Sequence, residues 1–173
     1  KAVSPYGLSK SLTWSLIRSY CEWADLPVAK FVIPNPFGPY EEPRFCAYLM
    51  KNWANGRTAQ VNTPSYIRDN IPISLLAAAY VNFIDRSRQS SDTFCMRPSG
   101  YIESQGSFAM RFAKEIGVRL NLVTPLEFLI QTEFSEPRMR VNTDRVDDGW
   151  DEAKFWDDLA LYYQALYLHE QMS

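Results

Sequence analysis

Tyr6 and Lys10 have the residue types and the spacing to move a proton. They lie in Ser4-Pro5-Tyr6-Gly7-Leu8-Ser9-Lys10, a Tyr-x-x-x-Lys. Four residues apart on a helix, two side chains share one face, one turn from each other. A phenol ordinarily ionises near pH ~10 and is a poor base at neutrality. An ammonium one turn away favours the phenolate, so such a pair can exchange a proton with a carbonyl or an alcohol. In a chain with ten tyrosines the pattern also arises by chance, and its setting must carry the weight.

The setting begins with a helix. Pro5 suits a first helical turn and Ser4 an N-cap. Leu8, Leu12, Leu16, Ile17 and Tyr20 keep helical spacing to about Asp25, and Leu26-Pro27 ends the run. Residues 28–33 form a short apolar stretch, as expected of a buried parallel strand. Pro34-Asn35-Pro36-Phe37-Gly38-Pro39 follows at once. Three prolines and a glycine in six residues predict a rigid loop rather than a helix or a central strand.

Downstream, helices are predicted over 45–53, over 73–84 (apolar on most sides) and over 107–116, with Gly117 as a C-cap candidate. A last helix is predicted over 150–167, with Phe155, Leu159, Tyr162, Tyr163 and Leu166 on its apolar side. Extended segments are predicted at 59–61, 66–71, 93–96 and 120–123, while 124–148 shows no clear pattern. Helix, core strand, loop, helices, core strand, helix is half of an α/β domain. Two parallel strands do not make a stable sheet alone, so the chain, which begins at Lys1, reads as a C-terminal piece of something larger.

Bulk properties narrow the classes. With 46% hydrophobic and 22% charged residues the chain can fill a core. A net charge of -2 and a pI of about 5.5 imply no strongly basic face, which argues against nucleic acid as a partner. No apolar run reaches membrane-spanning length, so no membrane is expected. Cys21, Cys46 and Cys95 lack metal-ligand spacing and read as buried, reduced thiols of a cytosolic protein, with no metal site. The lone His169 reads as a surface or packing residue. Tyr66, Trp53 and Trp150 read as core or interface aromatics.

Taken together, these segments resemble the extended short-chain dehydrogenase/reductase family, of the NAD-dependent nucleotide-sugar epimerase/dehydratase type. Ser-Pro-Tyr-Gly-Leu-Ser-Lys (4–10) resembles the start of its active-site helix. Asn35-Pro36-Phe37-Gly38-Pro39 resembles its loop after the sixth strand, and Arg68-Asp69-Asn70-Ile71 its R-D-x-I segment. Arg97-Pro98-Ser99-Gly100 and Gly149-Trp150 resemble later landmarks, in the same order along nearly the whole chain. Pro72-Ile73 stands where the family often has His-Val, and Ser74-Leu75-Leu76 where it has an acidic residue. Asn62-Thr63-Pro64-Ser65 lacks the usual glycines, and no G-x-x-G-x-x-G turn occurs, so this piece alone is expected to bind NAD(P) poorly.

The resemblance implies an α/β fold: the C-terminal part of a Rossmann-like doubly wound parallel sheet plus a smaller, mainly helical substrate-binding subdomain. Residues 1–34 and 72–100 would belong to the NAD(P)-binding part, and 35–71 and 101–173 to the substrate subdomain. Tyr6 would be the catalytic acid/base and Lys10 its partner on the nicotinamide ribose of NAD or NADP. The backbone at Pro34 would border the nicotinamide. Asn35 would donate to the diphosphate of a nucleoside-diphosphate sugar, and Arg68 would pair with it, as guanidinium matches phosphate. Asn before Pro is as readily turn chemistry, and an arginine is commonly a solvated surface charge. A homodimer through the helix that starts at Tyr6 is implied, its outer face holding Trp14, Ser15, Arg18 and Trp23. A cytoplasmic location is expected. Two other readings stay open: a non-catalytic binding relative of the same fold, and a small α/β interaction module.

Overall fold

The computed structural model describes residues 4–90, 92–146 and 149–168; His169 lies outside them. Helix α1 (Pro5–Trp23) starts as its sequence requires, with Ser4 Oγ accepting from Gly7 N at 3.1 Å and Pro5 in the first turn. Then come β1 (Ala29–Phe31), β2 (Asn35–Phe37), α2 (Phe45–Ala54), β3 (Ala59–Val61), β4 (Ile67–Pro72) and α3 (Ile73–Gln89). The second part holds β5 (Phe94–Met96), β6 (Pro98–Ser99), β7 (Tyr101–Ser104), α4 (Gln105–Leu120), β8 (Leu126–Phe128), β9 (Met139–Arg140), β10 (Asp144–Arg145) and α5 (Glu152–Tyr167).

The two strands read as core strands do pair, in parallel, with Ala29 opposite Phe94 and Phe31 opposite Met96. Parallel neighbours need a long crossover, and α3 packs against this pair. Phe31 meets Tyr80 and Phe83 of α3, and Phe83 meets Phe94. Strand β4 is the hub of a second sheet. One edge takes β7 in antiparallel register, Arg68 opposite Glu103; the other takes β2 and β9 in parallel, Asn35 opposite Asn70 and Arg68 opposite Arg140. β3 pairs with β8, and β6 with β10.

The main core joins α2, α4 and α5 to Phe37. It is aromatic: Phe37, Trp53, Phe108, Phe112, Phe155, Trp156 and Tyr163 are all buried, with Leu49, Met50, Ile116 and Leu159 between them. Burying one such side chain contributes roughly 1.5–3 kcal/mol. Trp53 also donates its Nε1 to Pro125 O at 3.0 Å, which ties the chain after α4 to α2. A smaller cluster of Ile71, Leu75 and Leu76 lies against Phe31, Val146 and Trp150. Helix α1 buries no residue among those described. Leu12 and Leu16 are 61% and 73% exposed, so its apolar stripe faces outward.

Several expectations are corrected. Asn35-Pro36-Phe37 is a strand, not a loop; β2 lies at its sheet's edge, where the missing proline N–H costs no ladder bond. α4 runs past Gly117 to Leu120, so 120–123 is no strand, and its C-cap is Asn121 with φ of 48°. Gly117 serves packing instead: a Cβ there would come within 3.1 Å of Leu122 O and Thr124 Oγ1. α3 is one-sided rather than buried on most sides, with Leu75, Leu76, Ala79 and Phe83 inward and Val81 59% exposed. On α5, Trp156 is buried and Leu166 is exposed. Of the thiols only Cys46 is buried; Cys21 is half-buried and Cys95 exposed.

Candidate functional site

The Tyr6/Lys10 pair sits on the first turns of α1. Lys10 Nζ lies 5.5 Å from the centroid of the Tyr6 ring, so the two do share a face. Both are exposed, Tyr6 by 72%, and the phenol is open to an incoming molecule.

The end of β1 leads into the other candidate residues. Val32 N donates to Met96 O at 2.9 Å, and Pro34 and Asn35 follow where the strand stops. A cleft of about 500 Å³ opens there, lined by Pro34, Asn35, Arg68, Asp69, Arg140 and Asn142 among others. A second cleft of about 210 Å³ includes Asn35, Glu41, Arg44, Arg68, Asn70 and Gln105. Asn35 and Arg68 line both, so β2 and β4 bring these two side chains together, with Pro34 beside them. Tyr6 and Lys10 line neither cleft.

Arg68 is no surface charge; it is 7% exposed. Its Nη1 donates to Ile67 O at 2.8 Å, Arg138 O at 3.1 Å and Pro137 O at 3.3 Å. Its Nη2 donates to Glu136 Oε1 at 2.9 Å, and the guanidinium lies 4.3 Å over the Tyr66 ring. Glu136 Oε2 meets Arg140 Nη2 at 3.2 Å, so one carboxylate bridges two guanidinium groups. Asp69 is buried beside it. Its Oδ1 accepts from Gly100 N at 2.8 Å and its Oδ2 from Asn142 N at 3.0 Å. Asn142 Nδ2 in turn donates to Val32 O at 2.8 Å and Pro98 O at 2.9 Å. One carboxylate and one amide thus join β4 to Gly100, to the 98 region and to the exit of β1.

Glu41 lines the smaller cleft. Its Oε1 is buried without a hydrogen-bond partner among the described residues. Burial pushes the carboxyl from the ordinary 4.5 up to about 7, against the pull of Arg44. Burial also pushes the Cys46 thiol well up, with Glu41 adding to it, so this cysteine is not a thiolate nucleophile at neutral pH. A third cleft, of about 520 Å³, includes Gly100, Tyr101, Arg145, Trp150 and Glu152. Burial and a hydrogen bond to Glu152 raise the Tyr101 phenol far above its usual range, so it remains a donor. Trp150 donates its Nε1 to Ser74 Oγ at 2.9 Å.

No pattern in the sequence marks Glu136, Arg140, Asn142 or Glu41. The first three lie in the stretch without periodicity, and only their register against β4 brings them to Arg68. Asp69 was within the R-D-x-I segment, but its partners are 31 and 73 residues away. Among the described residues no cluster of His, Cys, Asp or Glu could hold a metal ion, and no helix is long and apolar enough to cross a membrane.

No family model matches the chain, and no curated protein matches it. Solved structures do. The UDP-N-acetylglucosamine 4-epimerase of Methanobrevibacter ruminantium M1, in complex with UDP-N-acetylmuramic acid, is 16% identical; the match covers 94% of this chain and 54% of that one, with a TM-score of 0.71. The UDP-glucuronic acid 4-epimerase of Bacillus cereus, in complex with UDP-glucuronic acid and NAD, is 15% identical over 95% and 54%, with a TM-score of 0.72. The dTDP-glucose 4,6-dehydratase of Bacillus anthracis str. Ames, in complex with NAD, is 15% identical over 94% and 52%, with a TM-score of 0.68. The chain thus spans about half the length of the solved structures it matches. Its fold is α/β, that of the C-terminal part of Rossmann-like nucleotide-sugar epimerases and dehydratases.

Proposed function

We propose that the protein serves in NAD(P)-dependent conversion of a nucleoside-diphosphate sugar, as an epimerase, a dehydratase or a 4-keto reductase. The observation that carries this reading is a coincidence of chemistry and fold. A Tyr-x-x-x-Lys opens α1, and an arginine and an asparagine share a cleft at the end of a parallel strand. This occurs in a chain that matches solved nucleotide-sugar enzymes over 94% of its length or more. Ligands of open α/β sheets bind at the strands' carboxyl ends, which is where Pro34 and Asn35 lie.

In this reading Tyr6 Oη takes a proton from a sugar hydroxyl, or returns one to a sugar carbonyl. Lys10 steadies the phenolate and holds a ribose hydroxyl. Asn35 and Arg68 hold the diphosphate. Tyr6, Lys10 and Pro34 would hold the nicotinamide end of the cofactor. They fit it in kind: the Tyr6/Lys10 face is open, and Pro34 offers a backbone carbonyl and an apolar ring at the strand's end. When bound, NAD or NADP supplies the hydride carrier. Residues 1–34 and 72–100 serve the cofactor side, and 35–71 and 101–173 the sugar side. The face of α1 that holds Trp14, Ser15, Arg18 and Trp23 would meet the same helix of a second copy in a cytoplasmic homodimer.

The test is Tyr6→Phe in the complete protein, assayed with NAD(P) and UDP- or dTDP-sugars. Turnover should fall by about 10²–10⁴, the usual weight of general acid/base catalysis. Because Tyr6 is exposed, the thermal midpoint should hardly move. Near-normal turnover would remove Tyr6 from the chemistry. A second reading, a non-catalytic relative that keeps the fold, is favoured by Arg68 being held from within. Sugar-nucleotide binding with no turnover by the unaltered complete protein in the presence of NAD(P) would select it.

A further inference from the structure

Arg68 and Arg140, which line one cleft with Asn35, share a single carboxylate, that of Glu136. Glu136 gives one oxygen to Arg68 Nη2 at 2.9 Å and the other to Arg140 Nη2 at 3.2 Å. A carboxylate and a phosphate present paired oxygens to guanidinium in the same way. Both arginines line the same cleft as Asn35. We propose that Glu136 is an internal stand-in for the substrate's phosphate: it occupies the Arg68/Arg140 clamp in the free protein and must leave it for a diphosphate to bind. The proposal rests on the reading above that this cleft takes a diphosphate.

The two nitrogens of Arg68 have different duties. Nη1 donates to the carbonyls of Ile67, Pro137 and Arg138, which holds the 137–138 backbone to β4 whether or not Glu136 stays. Nη2 serves Glu136, so departure of that one carboxylate frees one donor group on each arginine and leaves the carbonyl bonds in place. Exposure is unequal in the same sense. The Arg68 side chain is 9% exposed and fixed, whereas Glu136 is 32% and Arg140 51% exposed. The half-open carboxylate can swing to water once another anion takes its place, whereas the buried guanidinium stays put and must keep an anionic partner. Charge favours the exchange. The Asp69 carboxylate in the same cleft is committed to the Gly100 and Asn142 N–H groups, so Glu136 is the carboxylate that the two guanidinium groups share, and a diphosphate offers them more oxygens and more charge than it does. The device also rejects weak anions, because any occupant must displace a bound carboxylate rather than fill open space.

Glu136→Gln tests it, since glutamine keeps the shape and an acceptor for Arg68 but removes the charge. The probe is inorganic pyrophosphate, titrated calorimetrically into both proteins at low ionic strength. Glu136→Gln should bind about tenfold more tightly than the unaltered protein, and Arg140→Ala should bind more weakly. The variant should also unfold at lower temperature without pyrophosphate and recover more of that loss with it. Glu136→Gln that folds but binds equally or more weakly overturns the stand-in, and gives Glu136 a purely structural role. If neither protein binds pyrophosphate, the diphosphate reading of the cleft falls, and the stand-in with it.

Discussion

Replacing Asp69 tests how the site is built. Its two carboxylate oxygens each accept one backbone N–H, from Gly100 at 2.8 Å and from Asn142 at 3.0 Å, and the side chain is buried. Hydrogen bonds to a charged acceptor contribute about 1.5–3 kcal/mol each. Asp69→Ala loses both and leaves two half-buried N–H groups unpaired, so it should cost about 3–6 kcal/mol. Asp69→Asn keeps one acceptor oxygen and should cost about half of that, 1.5–3 kcal/mol. The assay is urea unfolding of the unaltered protein and both variants, read by tryptophan fluorescence. The Ala variant should also couple to Asn142→Ala. Asn142 holds Val32 O and Pro98 O from the same junction, so the two losses should sum to more than the double variant shows. A cost under about 1 kcal/mol for Asp69→Ala, or strict additivity, would refute the idea that this carboxylate joins β4 to the strand exits.

Three further outcomes follow from the geometry. Gly100→Ala should be destabilising by more than about 2 kcal/mol, because its Cβ would sit 2.5 Å from Asn70 O and 2.7 Å from Ile71 Cα, both backbone; a thermal scan with an unmoved midpoint would contradict this. Trp53→Phe should cost about 0.5–1.5 kcal/mol by removing one of the two donors to Pro125 O, the other being Ala59 N at 3.1 Å, checked by the denaturant midpoint. Glu41 is raised in the fold from 4.5 to about 7, so the folded state binds the extra proton and stability falls as pH climbs through that window. Glu41→Gln should therefore gain on the unaltered protein from pH 4.5 to 7, and a constant difference across that range would show that this carboxyl does not titrate as described.

Much of the fold could be read from pattern. The capped start of α1, the parallel strands β1 and β5, and helices α2, α4 and α5 all have local signals in capping residues, β-branched runs or apolar spacing. What escaped was set by long-range pairing. Pro34 to Pro39 has turn composition, yet β4 recruits Asn35–Phe37 as an edge strand because an edge tolerates proline. Gly117 has the look of a cap, but its missing side chain serves the close approach of Leu122 O. The site was legible as separate residues. Asn35 and Arg68 could be named and are neighbours in the structure, yet the Glu136 and Arg140 side chains that complete their surroundings have no sequence pattern at all. Burial of Arg68 could not be foreseen either, since its shielding comes from the 136–140 segment.

In the proposed function the cleft of Asn35 and Arg68 takes the diphosphate of a nucleotide sugar. The direct measurement is an amide-resolved NMR titration of the protein with UDP-glucose and with dTDP-glucose. Saturable shifts should centre on Pro34's neighbours Ile33 and Asn35, on Arg68 and on Arg140, and should weaken when Arg68 is replaced by Lys. Shifts that fail to saturate, or that gather around Trp150 and Arg145 instead, would contradict the account.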